Sequence, residues 1–463
     1  MLKKRLYIAL SFCCFTVGNA NAQIAINLPE ANISGQTDYT ANFSSGATAL
    51  INLIPNIQAK LGTANFAATP ATLPAIPSST NFMKMKVTQL GLSLISTFPQ
   101  ITLSTTSQTV ITSLLSLGAT ILADYTVVTS TFPWAAGTYS NTIVLTGGVN
   151  PNPTTLPVTV TVPAYITLNN QVPSTTTLNV SSFTQFRNSA GISSTVNNDY
   201  FTTVPTLFNL KANSSTFSFS TTHPYNNLPA ANSVNLMSAA LTGIYAGAAI
   251  NLSSTDQLLT SSAGIPVLLT NKSVLNSSLS ISGANLSSNF VQAGTYTVPL
   301  VYTVSKTAAS FPATPISKTM SSNTQIVVSN MMEVVVLGSQ VDLTVNTVAK
   351  YQQGVTTTVP NQVKLSSTVP YNITVKASGT NLSSSGGVNI PVGVITIEGM
   401  PGQTGITPVV LSASPQPIIT SGNPVIDRLL NLQYRIPATQ TSNLLNKAAG
   451  RYNTTITYSI VAP

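Results

Sequence analysis

One imidazole and nine carboxylates are the whole stock from which this chain could build acid-base or metal chemistry. A Ser-His-Asp relay would have to use His223, which lies beside Pro224 in a loop-like stretch and reads as a plain loop residue. The acids are Glu30, Asp38, Asp124, Asp199, Asp256, Glu333, Asp342, Glu398 and Asp427, and no two stand within three residues of each other. Glycoside hydrolysis needs two carboxyls facing across a sugar, and calcium needs acids clustered with other oxygens. Asn198-Asp199 comes nearest to the second pattern, with no further acid close by. Asp124 and Asp427 precede strand-like runs in matching places, which suggests turn or capping use. Phosphate cradles, dinucleotide fingerprints and zinc spacings do not occur. What remains is aromatic: Trp134, the single tryptophan, and Tyr225 are the candidate ligand contacts, as faces on which a sugar ring could stack. Core or edge packing is the competing reading for Trp134, because Leu444-Leu445-Asn446-Lys447 occupies its place further along. The expectation is a protein that is not an enzyme and holds no cofactor and no metal.

The start of the chain reads as an export signal. Lys3, Lys4 and Arg5 precede an apolar stretch ending at Val17 and the small-residue exit Ala20-Asn21-Ala22, so cleavage is expected after Ala22. The apolar run is too short to cross a bilayer as a helix. Both cysteines, Cys13 and Cys14, fall inside that leader, so the mature chain is expected to carry no thiol. Removing the three leader cations lowers the formal charge from +9 to +6, and the remaining Lys and Arg form no stripe of the kind nucleic acid requires. Only 6% of residues are charged, so Ser, Thr and Asn must cover the surface. The 43% apolar content is enough for packed cores.

Repetition supplies the architecture. Ala136-Gly137-Thr138-Tyr139, Ala293-Gly294-Thr295-Tyr296 and Ala449-Gly450-Arg451-Tyr452 place their tyrosines 157 and 156 residues apart. Each motif opens a run of period two, as in Tyr452, Thr454, Ile456, Tyr458 and Ile460, the pattern of a strand with one buried face. Glycine before each strand permits a tight entry. Residues 101–113 match 409–421 in register, and Phe208 to Ala212 resembles Tyr371 to Ala377 after a Val-Pro approach. The segments Asn150 to Pro153 and Phe311 to Pro315 read as semi-stiff joints between units. Helical signals are sparse; Leu114 to Ala123 and Leu429 to Tyr434 are ambiguous. The division expected is a signal peptide over 1–22 and β-sandwich repeats over 23–157, 158–320 and 321–463 in an elongated arrangement.

The A-G-x-Y ending with its alternating strand resembles the last strand of bacterial fimbrial-subunit and spore-coat-U-like domains. That resemblance implies all-β, immunoglobulin-like sandwiches that build pili, tips or coats by strand exchange, sometimes with a chaperone. The chain departs from the pattern in lacking the cysteine pair many of them carry and in joining three units. The function expected is a secreted or cell-surface structural or adhesive subunit, exported by a Gram-negative bacterium. It would associate with itself or other surface subunits through edge strands, without nucleic acid and without a transmembrane span. The alternative is noncatalytic carbohydrate or matrix binding; a secreted hydrolase ranks third. An outer-membrane barrel fits less well with the repeat spacing and the Pro-rich segments.

Overall fold

The computed structural model describes residues 23–49, 56–147, 153–170, 172–384 and 389–463; the expected leader lies outside them. The chain is nearly all β, built as three tandem immunoglobulin-like sandwiches. Each closes on its own apolar core, the three centred on residues such as Trp134, Phe208 and Tyr371. Alternation of Val, Ile and Leu with Ser, Thr and Asn drives this, because one strand face can be buried while the other meets water. Among the described residues no helix is long and apolar enough to cross a membrane.

The second sandwich shows the plan most fully. One sheet runs, in spatial order, Ile166–Asn170, Ile192–Thr202, Lys272–Ile281, Ser238–Thr242 and Ile250–Asn251. The other runs Thr175–Val180, Ser317–Val328, Gly294–Lys306, Thr206–Ala212 and Gln257–Leu258. Three strands of that second sheet recur and are named here by role. The opening strand, Thr175–Val180, pairs in parallel with the closing strand, Ser317–Val328. The closing strand in turn lies antiparallel to the corner strand, Gly294–Lys306. In the first sandwich the same trio is Ile24–Asn27, Thr155–Val162 and Gly137–Gly147.

The A-G-x-Y motif heads the corner strand, and its tyrosine closes a corner. The hydroxyls of Tyr139, Tyr296 and Tyr452 each donate to the carbonyl four residues back, on Ala135, Gln292 and Ala448, at 2.9, 3.1 and 2.8 Å. The glycines share φ values of 155°, 147° and 157°, a conformation that side chains rarely adopt. A Cβ on Gly137 or Gly294 would also stand 2.7 Å from the Thr69 carbonyl oxygen or 2.6 Å from that of Ser220, whereas one on Gly450 would meet nothing within 4 Å.

Several expectations need correction. Phe311 to Pro315 is not a joint between sandwiches but the loop of a hairpin, since the strands on either side of it pair with each other in the second sandwich. The Asn150 to Pro153 segment likewise bridges the paired strands Gly137–Gly147 and Thr155–Val162, although residues 148–152 lie outside those described. The breaks expected after residues 157 and 320 therefore fall within closing strands. Both stretches left ambiguous for helix are strand, inside Gln108–Val127 and Val425–Pro437. The actual passage between sandwiches is three residues long in each case: Pro163 to Tyr165, then Ser329 to Met331.

Gly294→Ala and Gly450→Ala should separate the two demands on this glycine. Both introduce backbone strain of about 1–3 kcal/mol, but only the first adds a clash with a strand backbone. Urea unfolding should show the larger loss for Gly294→Ala, and equal losses would refute the clash.

Candidate functional site

The third sandwich repeats the first sheet of the second strand for strand: Met332–Val336, Gly354–Ser367, Val425–Pro437, Thr396–Gly399 and Val409–Val410. Its other sheet differs. There Gln416–Gly422, Tyr371–Ala377 and the corner strand Ile456–Val461 form three strands, and among the described residues nothing pairs with the far side of Ile456–Val461.

The opening segment is present but carries no ladder. Residues 338–346 precede a helix, Val348–Gln353, as Thr175–Val180 precedes the helix Phe183–Arg187, with Thr347 and Ser182 as the respective caps. That alignment places Val341, Leu343 and Val345 where Thr176, Leu178 and Val180 stand. In the second sandwich these three positions are buried, at 6%, 2% and 0% exposure. In the third all three are partly exposed, yet still pack on the core. The corner motif and the strand after it show the same contrast. Tyr296, Leu300 and Val304 are 1%, 0% and 0% exposed, whereas Tyr452, Ile456 and Ile460 are partly exposed.

Register states what such an edge would take. Ile326 of the closing strand sits between Leu178 and Tyr296, and Val160 sits between Ile26 and Tyr139. The corresponding row of the third sandwich is Leu343 and Tyr452. Deeper in, the core is complete: Tyr458 and Tyr434 are buried and share a hydroxyl contact of 2.6 Å. Burial pushes both phenols up, so they stay neutral.

The two candidate ligand contacts do not join this site or each other. Trp134 is fully buried, its indole Nε1 donating to the Thr129 carbonyl at 2.8 Å and its ring meeting Phe82, Phe132 and Tyr139 edge to face. In this position it offers no face to a sugar. Tyr225 is half-buried at the junction of the second and third sandwiches, its hydroxyl 2.8 Å from the Ala293 carbonyl and 3.0 Å from that of Thr368. Burial raises its phenol to about 12.

The scattered acids also have partners. His223 Nε2 meets Asn330 Oδ1 at 2.6 Å. Asp199 is held by the Lys272 ammonium at 2.7 Å, and Asn198 turns into the core with neither amide atom satisfied. Asp124 sits within a strand and accepts from Asn42 at 2.7 Å. Among the described residues no group of three His, Cys, Asp or Glu is placed to hold a metal. Asp427 is not a turn cap: it lies inside a strand, at φ 53°, and receives Arg187 Nη2 of the second sandwich at 2.7 Å. The same guanidinium reaches Glu333 at 2.7 Å. Hydrogen bonds from Arg187 hold the Asp427 carboxyl below its usual value of 3.8, and the pair raises the guanidinium further.

No family model and no curated relative matches the chain. Among solved structures, similarity is found to a chain of the CsuC-CsuE chaperone-tip adhesion subunit complex from Csu pili of Acinetobacter baumannii. It has 14% identity and a TM-score of 0.32, covering 63% of this chain and 99% of that one. CfaE, the adhesive subunit of CFA/I fimbria of enterotoxigenic Escherichia coli, has 11% identity and a TM-score of 0.25, with 66% and 98% covered. The CupB6 tip adhesin of Pseudomonas aeruginosa has 9% identity and a TM-score of 0.24, with 63% and 91% covered. Scores this low carry no assignment of function.

Two outcomes test these placements. Trp134→Ala should cost about 3–5 kcal/mol of stability in urea unfolding; a loss under about 1 kcal/mol would contradict its core position. Because the Asp427 pKa is depressed in the folded chain, its contribution is present above the ordinary carboxylate value and lost as pH falls below it. Protection from hydrogen exchange around Ser366, taken relative to the intrinsic rate at each pH, should therefore fall below about pH 4, and Asp427→Asn should abolish that step. A variant that titrates like the parent would remove Asp427 as the cause.

Proposed function

We propose that this chain is an exported, cell-surface structural subunit of adhesive, fimbria-like type, from a Gram-negative bacterium, whose third sandwich takes up a β-strand from another subunit. The observation that carries the reading is the edge left open among the described residues: a corner strand unpaired on its far side and an unladdered opening segment around a half-covered core. Exposed backbone N–H and C=O groups in a row are a template for strand addition, with affinity from main-chain bonds and specificity from alternate side chains. Every closing strand among the described residues is already paired within its own sandwich, and the reading assigns the occupant to a partner chain. The carbohydrate-binding alternative loses its main support with Trp134 buried.

The incoming strand should run antiparallel to Ile456–Val461 and parallel to residues 338–346. It should alternate as Leu156, Val158, Val160 and Val162 do in the first sandwich. A synthetic peptide copying Ser317–Val328 is a direct probe. Added in excess, it should slow hydrogen exchange across Ile456–Val461 more than tenfold and raise the melting temperature by several degrees, as about 2.7 kcal/mol of stabilisation at a hundredfold Kd implies. The same peptide carrying Ile326→Asp should do neither, because it places a charge between Leu343 and Tyr452. Unchanged exchange with the parent peptide would refute strand acceptance.

A further inference from the structure

The two junctions inside the chain are made by one repeated bond. Ala136 of the first corner motif donates its N–H to the Thr203 carbonyl at 2.7 Å, and Ala293 of the second donates to Thr368 at 2.7 Å. Both acceptors sit in the same turn of the following sandwich, Thr202-Thr203-Val204-Pro205 and Ser367-Thr368-Val369-Pro370. The turn is braced alike each time. Thr202 Oγ1 and Ser367 Oγ bond the residue two places on, through its N–H and its carbonyl. Thr203 Oγ1 donates to the Pro163 carbonyl and accepts from the Tyr165 N–H, while Thr368 Oγ1 donates to the Ser329 carbonyl and accepts from the Met331 N–H. Those partners form the three-residue passage that leads out of the closing strand. A closing strand, its short exit and the Thr-Val-Pro turn therefore form one docking unit.

The third corner is built alike, and among the described residues nothing docks on it. Tyr452 has closed onto Ala448, Gly450 has the same φ as its counterparts, and yet Ala449 is exposed where Ala136 and Ala293 are 2% and 0% exposed. Among the described residues the Ala449 N–H meets no acceptor. Resting on the strand-accepting reading above, we infer that Ala449 is a docking point for the sandwich of the strand-donating subunit, which recognises it through a Thr-Val-Pro turn. The partner is then specified twice: an alternating Val/Ile strand, and three residues beyond it a sandwich bearing that turn. A second copy of this chain fits poorly as donor, because its opening strand is already paired and its first unit reads Leu53-Ile54-Pro55 before the strand Asn56–Leu61.

The test is a full chain extended after Pro463 by a repeat of residues 307–463, which supplies a closing strand, its exit and a turn in cis. Hydrogen exchange is read on peptides spanning 446–452 and 456–461. Each sequence then occurs twice, and the copy preceding the added repeat, half of each peptide's population, should slow at least tenfold relative to the unextended chain while the terminal copy stays fast, with the peptides holding Ala136 and Ala293 as internal standards. Thr368→Val in the added repeat alone should return 446–452 to fast exchange and leave 456–461 protected. Protection of 456–461 without 446–452 would overturn the docking point while sparing strand acceptance. Protection of neither would overturn both, and indifference of 446–452 to Thr368→Val would overturn the turn as the recognised element.

Discussion

The ladder between the corner strand and the closing strand governs this molecule. A sheet edge leaves a row of N–H and C=O groups that must be paired or hydrated, and here the same row also lies over half of the core. Where the closing strand is in place, as in the first two sandwiches, one insertion satisfies two backbones at once and buries an apolar residue between the opening and corner strands. Where it is absent among the described residues, the fold still assembles its first sheet and its tyrosine pair, but the outer row stays half-covered. Edge and core are thus coupled, so whatever pairs the backbone also finishes the packing.

The joints between sandwiches depend on buried backbone bonds more than on charge. Asn271, fully buried, donates to the carbonyls of Trp134 and Thr202 at 2.7 and 2.9 Å and accepts from the Trp134 N–H, stitching the first sandwich to the second. Breaking any one of these would strand a buried polar group, at about 1–3 kcal/mol. The Arg187, Asp427 and Glu333 cluster at the next joint is about one-third exposed, and water screens most of its attraction. Its stronger effect is geometric, because a two-pronged guanidinium contact fixes the orientation of the two sandwiches.

Fold class and repetition were legible in the residues because period-two alternation and an evenly spaced motif report directly on strand and copy. The tyrosine of that motif is explained by a bond four residues back, which lies within the motif's own neighbourhood. The proline-rich stretches misled because proline stiffens a hairpin loop as readily as a joint, and composition does not tell which strands flank it. The open edge was invisible for a different reason: it is defined by pairing, and Ile456 to Ile460 alternate just as their closed counterparts do. One further signal lay in reach. Leu103-Ser104, Leu252-Ser253 and Leu411-Ser412 each precede a glutamine by the same interval, at Gln108, Gln257 and Gln416. Each serine carbonyl accepts a bond from the strand beside it, on Leu61, Ala212 and Ala377. The sequence match between 101–113 and 409–421 was one pair of a threefold set.

The parallel pairing of opening and closing strands also bears on mechanics. In the first sandwich the described chain enters at the Ile24 end of one and leaves at the Val162 end of its neighbour, and these are opposite ends of the same ladder. A pull along the molecule then drags the two strands past each other lengthwise and strains all the rungs together instead of peeling them one by one. Such a link resists sudden tension far beyond what its equilibrium stability alone would suggest.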